Sequence, residues 1–313
     1  MSFSYKVKEE LEKHTGESRH CRIGELAALI QYQGALKRNK EGKLYLEIAT
    51  ENLFVLRKVF TLLNKTFNID TSEYEKECMS HKRNSVYLLS ITNEKEILEI
   101  FQAIKVLDQN GVLHDLRDRI NPVVLKQSCC QRAFLRGAFL SIGSMSDPSK
   151  GYHLELVCGH LIQAEQLKEV LTGFSLDAKV IERKKHYVVY LKEGANIVDF
   201  LNICEAHVAL MEFENLRIVK EMRNSINRRV NCETANIAKT VNAATKQIND
   251  ILYIRDYVGF SKIPDNLREM AQVRLEYPEA TLKELGGYLN PPVGKSGVNH
   301  RLRRLSEIAD SNR

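Results

Sequence analysis

Apolar positions in the first two hundred residues follow two alternating rhythms. Ile23, Leu26, Ala27, Leu29 and Ile30 have the three- and four-residue spacing of a helix over about 21–33, and Gly34 ends it. Residues 35–38 and 44–48 flank a polar turn, which predicts strand, hairpin and strand. Leu53, Leu56, Val59, Phe60 and Leu63 give a helix over 52–67. Strands follow near 72–79 and 86–92 around a basic turn (His81, Lys82, Arg83, Asn84), then a helix over about 95–107. The order then recurs: helix 129–142 ending at Gly143, strands 143–147 and 152–158, helix 160–172, strands 176–183 and 187–192, helix 194–204. Both blocks read αββαββα, and Gly34 and Gly143 stand 109 residues apart. Duplication and a pseudo-two-fold body follow, with the two leading helices side by side at the axis. Ala27, Ala28, Gly137 and Ala138 are small enough for the two backbones to approach.

From about His207 the strand rhythm stops. Residues 207–229 suit a long charged helix, and 231–257 a helix with Ile237, Val241, Ala244 and Ile248 on one side. Pro264 fits the first position of a helix over 265–276, and Pro278 marks its end. Thr281 and Glu284 form a capping box, so a short helix starts at Leu282. After a turn at Asn290, Pro291, Pro292, Val293 and Gly294, a last helix runs over about 296–309. Val298, Leu302, Leu305 and Ile308 fall on its inner face. Lys295, Ser296, Asn299, His300, Arg301, Arg303 and Arg304 are left for its first turn and outer face. The predicted fold class is therefore α+β: a duplicated αββαββα body followed by an all-α C-terminal domain with a helix-turn-helix. The expected boundaries are a body over 1–206 (repeats about 18–108 and 126–206), a helical linker over 207–230 and a terminal domain over 231–313.

Charge sharpens the picture. The chain has 46 Lys+Arg and 40 Asp+Glu. Residues 1–215 are balanced at 29 of each, while 216–313 hold 17 basic against 11 acidic residues, so the whole excess of six lies in the last third. A basic terminal module beside a neutral body suits a polyanion. In the last helix, Asn299 and Arg303 lie one turn apart on the outer side, where Asn and Arg side chains can read adenine and guanine edges. Lys295, Ser296, Arg301 and Arg304 suit phosphate, partly through the free N–H groups of the helix start. Arg228 and Arg229 either touch phosphate or cap the end of the charged helix. The basic hairpin tips (Lys37, Arg38, Asn39 and Lys40; Lys82 and Arg83; Arg183, Lys184 and Lys185) read as solvated turns or as further DNA contacts.

Other chemistry is thinly represented. No apolar run approaches the ~20 residues of a membrane span, and the N-terminus has no secretory apolar core. Seven cysteines include no CxxC pair, only the adjacent Cys129 and Cys130, and the histidines show no HxH or HExxH spacing. Reduced thiols in a cytoplasm, with neither metal nor cofactor, are expected. No nucleotide-binding glycine loop or nucleophile signature is present.

Two segments carry a resemblance. Leu26, Ala27, Ala28, Leu29, Ile30, Gln31, Tyr32, Gln33 and Gly34, and the string from Leu135, Arg136 and Gly137 to Ser141, Ile142 and Gly143, resemble the LAGLIDADG motif of homing endonucleases. In that motif the residue before the last glycine is an acid that binds the metal used to cut DNA. Here Gln33 and Ile142 stand in its place, and neither serves a hard metal. Glu25 lies more than two turns too early, and Asp147 falls in the following strand or turn. The alternative of a metal-dependent homing-type endonuclease is therefore disfavoured against a DNA-binding regulator.

Longer strings resemble the WhiA family of bacterial regulators: Cys129, Cys130, Gln131, Arg132, Ala133 and Phe134; Ser144, Met145, Ser146, Asp147 and Pro148; Asn231, Cys232, Glu233 and Thr234; and Lys295, Ser296, Gly297, Val298, Asn299 and His300. The resemblance covers nearly the whole chain. It implies a sequence-specific transcription factor with a noncatalytic endonuclease-like body, a terminal domain similar to the sigma-factor region that reads the −35 promoter element, and a role in sporulation or in cell division and chromosome segregation. Its implied partners are double-stranded promoter DNA and another regulator or the transcription machinery, with no membrane, in a nucleoid-associated cytoplasmic protein. An adaptor role for the body, toward a protein or a ligand, is compatible with this.

Overall fold

The computed structural model describes residues 2–70, 76–81, 84–108 and 110–313. By internal contacts the chain forms two compact units, Met1–Glu221 and Met222–Arg313. The first is the duplicated body. Its repeats are α2 (Arg19–Gln33), β1 (Gly34–Arg38), β2 (Leu44–Thr50), α3 (Leu53–Phe67), β3 (Lys76–His81), β4 (Asn84–Ile91) and α4 (Glu94–Ala103), then α5 (Ser128–Ile142), β5 (Gly143–Met145), β6 (Leu154–Cys158), α6 (Leu161–Gly173), β7 (Lys179–Arg183), β8 (His186–Leu191) and α7 (Gly194–Ile203). Both are αββαββα. The sheets are antiparallel with matching orders, β1-β2-β4-β3 and β5-β6-β8-β7. Even the register matches at the start: Gly34 lies opposite Ile48, and Gly143 opposite Leu156.

The two leading helices pack directly on each other. At the crossing, a side chain on Gly137 would meet the Glu25 carbonyl oxygen at 2.6 Å and the Ala28 methyl at 3.0 Å. Only a bare Cα allows that approach, so the small residues set the helix separation. Near the N-terminal ends the same test at Gly24 meets the Cys130 carbonyl at 3.1 Å. At the C-terminal ends the Gln33 amide donates to the Ser141 carbonyl at 3.3 Å. Like ends therefore meet, as a pseudo-two-fold along the pair requires. Leu26, Leu29, Ile30, Phe134, Phe139 and Leu140 are buried in one core with the inner faces of both sheets.

An opening helix, α1 (Phe3–Lys13), is absent from the predicted elements, although Phe3, Val7 and Leu11 recur every four residues and are buried. A second difference lies after the body. The two helices expected over 207–229 and 231–257 are one, α8 (His207–Tyr253), which widens into a π turn over Ile254–Val258. The composition changes near 230, but no Gly or Pro interrupts the chain between 207 and 258, so nothing breaks the hydrogen-bond ladder. Gly259, at φ 89°, provides the stop.

The second unit has its own core. Ile251 and Ile254 pack with Leu267, Met270 and Ala271 of α9 (Asp265–Glu276), Leu285 of α10 (Leu282–Gly287), and Val298, Leu302 and Leu305 of α11 (Lys295–Ser311). Ile237 and Val241, placed on an apolar side by the sequence, are exposed. Pro264 caps α9 rather than opening its first turn. No helix is long and apolar enough to cross a membrane, among the described residues.

Candidate nucleic-acid interface

The helix-turn-helix is built from local signals. Thr281 Oγ1 accepts from the Glu284 N–H at 3.4 Å, and the Glu284 carboxylate accepts from the Thr281 N–H at 2.8 Å, the reciprocal capping box. The turn folds back on α10, where the Val293 N–H donates to the Gly286 carbonyl at 2.9 Å. A Cβ at Gly286 would lie 2.0 Å from the Val293 carbonyl oxygen, so glycine is required for the turn to close.

Val298, Leu302 and Leu305 face the core, and this orients α11. Lys295, Ser296, Asn299, His300, Arg303 and Arg304 are exposed. The N-cap Gly294 offers no side-chain acceptor, so the first N–H groups of α11 lie beside Lys295 and Ser296 without a side-chain cap. Arg303 and Arg304 share Glu307, at 3.2 and 3.9 Å. Such exposed pairs are weak and exchange readily for phosphate or a base edge. Arg301 departs from its expected place. It is half-buried, donates to the Asn266 carbonyl at 3.4 Å and lies 3.8 Å from Glu269. Its side chain braces α11 against α9 instead of projecting with the others.

Arg228 and Arg229 are exposed in the interior of α8, so neither caps a helix end; Arg229 pairs with Glu233 at 3.1 Å. Of the hairpin tips, Lys37 is held by Glu47, whose carboxylate raises the lysine pKa, and Arg183 lies 3.8 Å from Glu155. Arg38 donates to the Gly42 carbonyl at 2.9 Å. Lys82 and Arg83 lie outside the described residues.

At the ends of the central helices, Gln33 is half-buried and occupied with Ser141, while Ile142 packs on the core. Asp147 turns into its own loop, accepting from the Ser149 N–H at 2.9 Å and hydroxyl at 2.6 Å. Among the described residues, no group of three or more metal-ligating side chains forms at this end.

Two clusters of the body escape sequence reasoning. In one, Glu25 Oε1 takes Lys58 Nζ at 3.0 Å and Arg136 Nε at 3.2 Å, with all three side chains buried. Lys58 also donates to the carbonyls of Leu11 and His14, so its three donors are satisfied. Arg136 continues to Glu205, which lies 3.1 Å from His14. Burial lowers the Lys58 pKa, opposed by Glu25. Burial also draws on Arg136, but Glu25 and Glu205 more than restore it, and it stands above its ordinary value. In the other cluster, His20 and Cys21 meet Cys129 and Cys130. Burial and the neighbouring Cys129 thiol push Cys21 up to about 12.

The comparisons agree with this architecture. Residues 19–107 match the WhiA N-terminal LAGLIDADG-like domain, 131–223 the WhiA LAGLIDADG-like domain, and 226–309 the WhiA C-terminal HTH domain. The chain is similar to a probable cell division protein WhiA of Lachnoclostridium phytofermentans, 52% identical over 99% of each chain. Another such protein, of Alkaliphilus metalliredigens, is 48% identical over 100% of this chain and 99% of its own. The fold is similar to that of full-length DUF199/WhiA from Thermatoga maritima, with a TM-score of 0.60 and 27% identity over 100% of this chain and 99% of that one.

Proposed function

Since this chain belongs to the WhiA family, we propose that it is a sequence-specific DNA-binding regulator of transcription acting in cell division, and that its endonuclease-like body does not cleave DNA. The observation that carries this reading is the division of α11. Its apolar side is consumed by the core, and Lys295, Ser296, Asn299, His300, Arg303 and Arg304 are left at the surface. A helix presented this way fits the major groove, with its first turn toward phosphate. Asn299 and Arg303 read base edges. Lys295, Ser296 and Arg304 hold the backbone, and Arg301 fixes the tilt of the helix through α9. Arg228 and Arg229 supply further phosphate contacts. The partner is promoter DNA in a cytoplasmic, nucleoid-associated complex, with another regulator or the transcription machinery as the second contact. Sporulation and chromosome segregation are further processes in which this reading has it act.

Asn299→Ala and Arg303→Ala should each cost about 1–3 kcal/mol on the cognate duplex and much less on a scrambled one. Arg304→Ala should weaken both duplexes alike and reduce the salt slope by about one. Titrations of each variant against both duplexes at two salt concentrations decide the matter. Equal losses on both duplexes for Asn299→Ala and Arg303→Ala would reduce α11 to a backbone grip.

A noncleaving body is supported by Gln33 and Ile142, which offer no carboxylate where a metal-bound water would have to be held. Supercoiled plasmid carrying the binding site should therefore stay intact with Mg²⁺ or Mn²⁺. Cleavage that disappears on mutating Gln33 would return the protein to the nucleases.

A further inference from the structure

We propose that His20, Cys21, Cys129 and Cys130 bind one soft divalent cation of the zinc type, which joins the N-terminal ends of the two central helices. The four ligand atoms all lie within 4.8 Å of one another. His20 Nδ1 is 3.2 Å from Cys130 Sγ, 3.4 Å from Cys21 Sγ and 3.9 Å from Cys129 Sγ. Tetrahedral zinc, with bonds of about 2.3 Å to sulfur and about 2.0 Å to nitrogen, needs nitrogen-to-sulfur edges of roughly 3.5 Å. The observed separations bracket that value, so a cation at the centre requires only small adjustments of side chains.

The fold explains why these four meet. His20 and Cys21 are the second and third residues of α2, and Cys129 and Cys130 are the second and third residues of α5. Each pair is separated by 109 positions, the same interval as Gly34 and Gly143. The pseudo-two-fold therefore places equivalent positions of the two repeats on its axis, and Gly24 lets α2 approach the Cys130 backbone closely enough. Neither helix start has a side-chain cap. The N–H groups at both helix starts stabilise the negative charge that the ligand set carries once the cation has displaced the thiol protons, which burial otherwise keeps on Cys21 and Cys130. Three thiolates and a neutral imidazole around a divalent cation leave one negative charge between two positive helix ends.

Donor chemistry sets the kind of ion. Three sulfurs and one ring nitrogen select zinc over magnesium or calcium, which take oxygen. Four protein ligands fill a tetrahedron and leave no open position, so the site is structural rather than hydrolytic. It also lies at the opposite ends of the helices from Gln33 and Ile142, where a cleaving metal would have to sit. Its role is to clamp the two repeats. With His20 and Cys129 at the surface, the ion is within reach of chelators and oxidants.

The test uses the full-length protein, reduced, stripped with chelator and titrated anaerobically with Co²⁺, then Zn²⁺. One Co²⁺ per chain should bind, with the visible bands of tetrahedral cobalt and a thiolate charge-transfer band, and Zn²⁺ should displace it. Cys129→Ser and His20→Ala change surface side chains and should leave the fold intact by circular dichroism. Each should weaken cobalt binding by more than the ~10–100-fold typical of losing an outer-shell partner. Cys232→Ser, on exposed α8, should bind as the wild type does. A folded wild-type protein with no tetrahedral cobalt spectrum would overturn the proposal. So would a spectrum that survives both Cys129→Ser and His20→Ala, or mass mapping that finds Cys21 disulfide-bonded to Cys129 or Cys130 in the anaerobic protein.

Discussion

Glu25→Gln is expected to destabilise the body by about 3–5 kcal/mol, the usual cost of leaving a buried charge without its partner. Among the described residues, Glu25 is the one carboxylate paired with both Lys58 and Arg136, and its Oε1 takes both cations. An amide of the same shape leaves two cations facing each other in a site closed to water. Lys58 can relieve the strain by losing its proton. Its pKa in the folded protein is already lowered by burial and would fall further without the carboxylate. A base whose folded pKa lies below its unfolded value binds fewer protons when folded, so stability rises with pH through that window. The variant should therefore recover part of its loss as pH climbs toward the ordinary lysine range. Lys58→Met, which leaves the Glu25–Arg136 pair intact, should cost less. Urea unfolding followed by circular dichroism, with hydrogen exchange of α2 and α5 peptides to assign the body's transition, measures each variant. A loss below about 1 kcal/mol for Glu25→Gln would show that water reaches the network.

Removing Met222–Arg313 should abolish specific DNA binding, a loss of at least ~10³-fold toward the affinity of non-specific contacts. The removed unit carries 15 Lys+Arg against 10 Asp+Glu, whereas Met1–Glu221 carries 31 against 30. The body has its own core and should remain folded. What binding it keeps should also be less salt-dependent, since fewer phosphates are neutralised. Gel-shift titrations of the full chain and the truncated body on the same operator compare the two directly. An equal affinity of the body alone would make its hairpins the reader and reduce α11 to a structural helix.

Much of the division of α11 into a buried and an exposed side is legible in the sequence. The capping box at Thr281, the turn at 290–294 and the four-residue spacing of Val298, Leu302 and Leu305 are local signals, and together they turn Asn299 and Arg303 outward. Arg301 sits apart from its expected place because periodicity tells only which side of a helix is apolar. It does not tell that the Asn266 carbonyl and Glu269 of a neighbouring helix wait beside it. Arg228 and Arg229 lie inside α8 and not at its end, because the composition shift near 230 brings no Gly or Pro to interrupt the helix.

The repeat, its element order, the two motif ends that lack an acid and the basic C-terminal region are all written in the chain. Each rests on spacing along the chain: short periods of two or of three to four, and the repeat interval of 109. Which distant groups meet depends on packing. Glu25 and Arg136 pair because Gly137 brings α5 onto α2, yet their repeat-equivalent positions hold Phe134 and Ala27, so no symmetry in the sequence announces the pair. His20 and Cys21 meet Cys129 and Cys130 only because like ends of the two helices lie together. Neither segment alone carries metal-ligand spacing, since half of the donors come from each repeat. Local order depends on backbone period and side-chain burial, while partnership depends on how closely two backbones can approach, and that distance is set by the packed core.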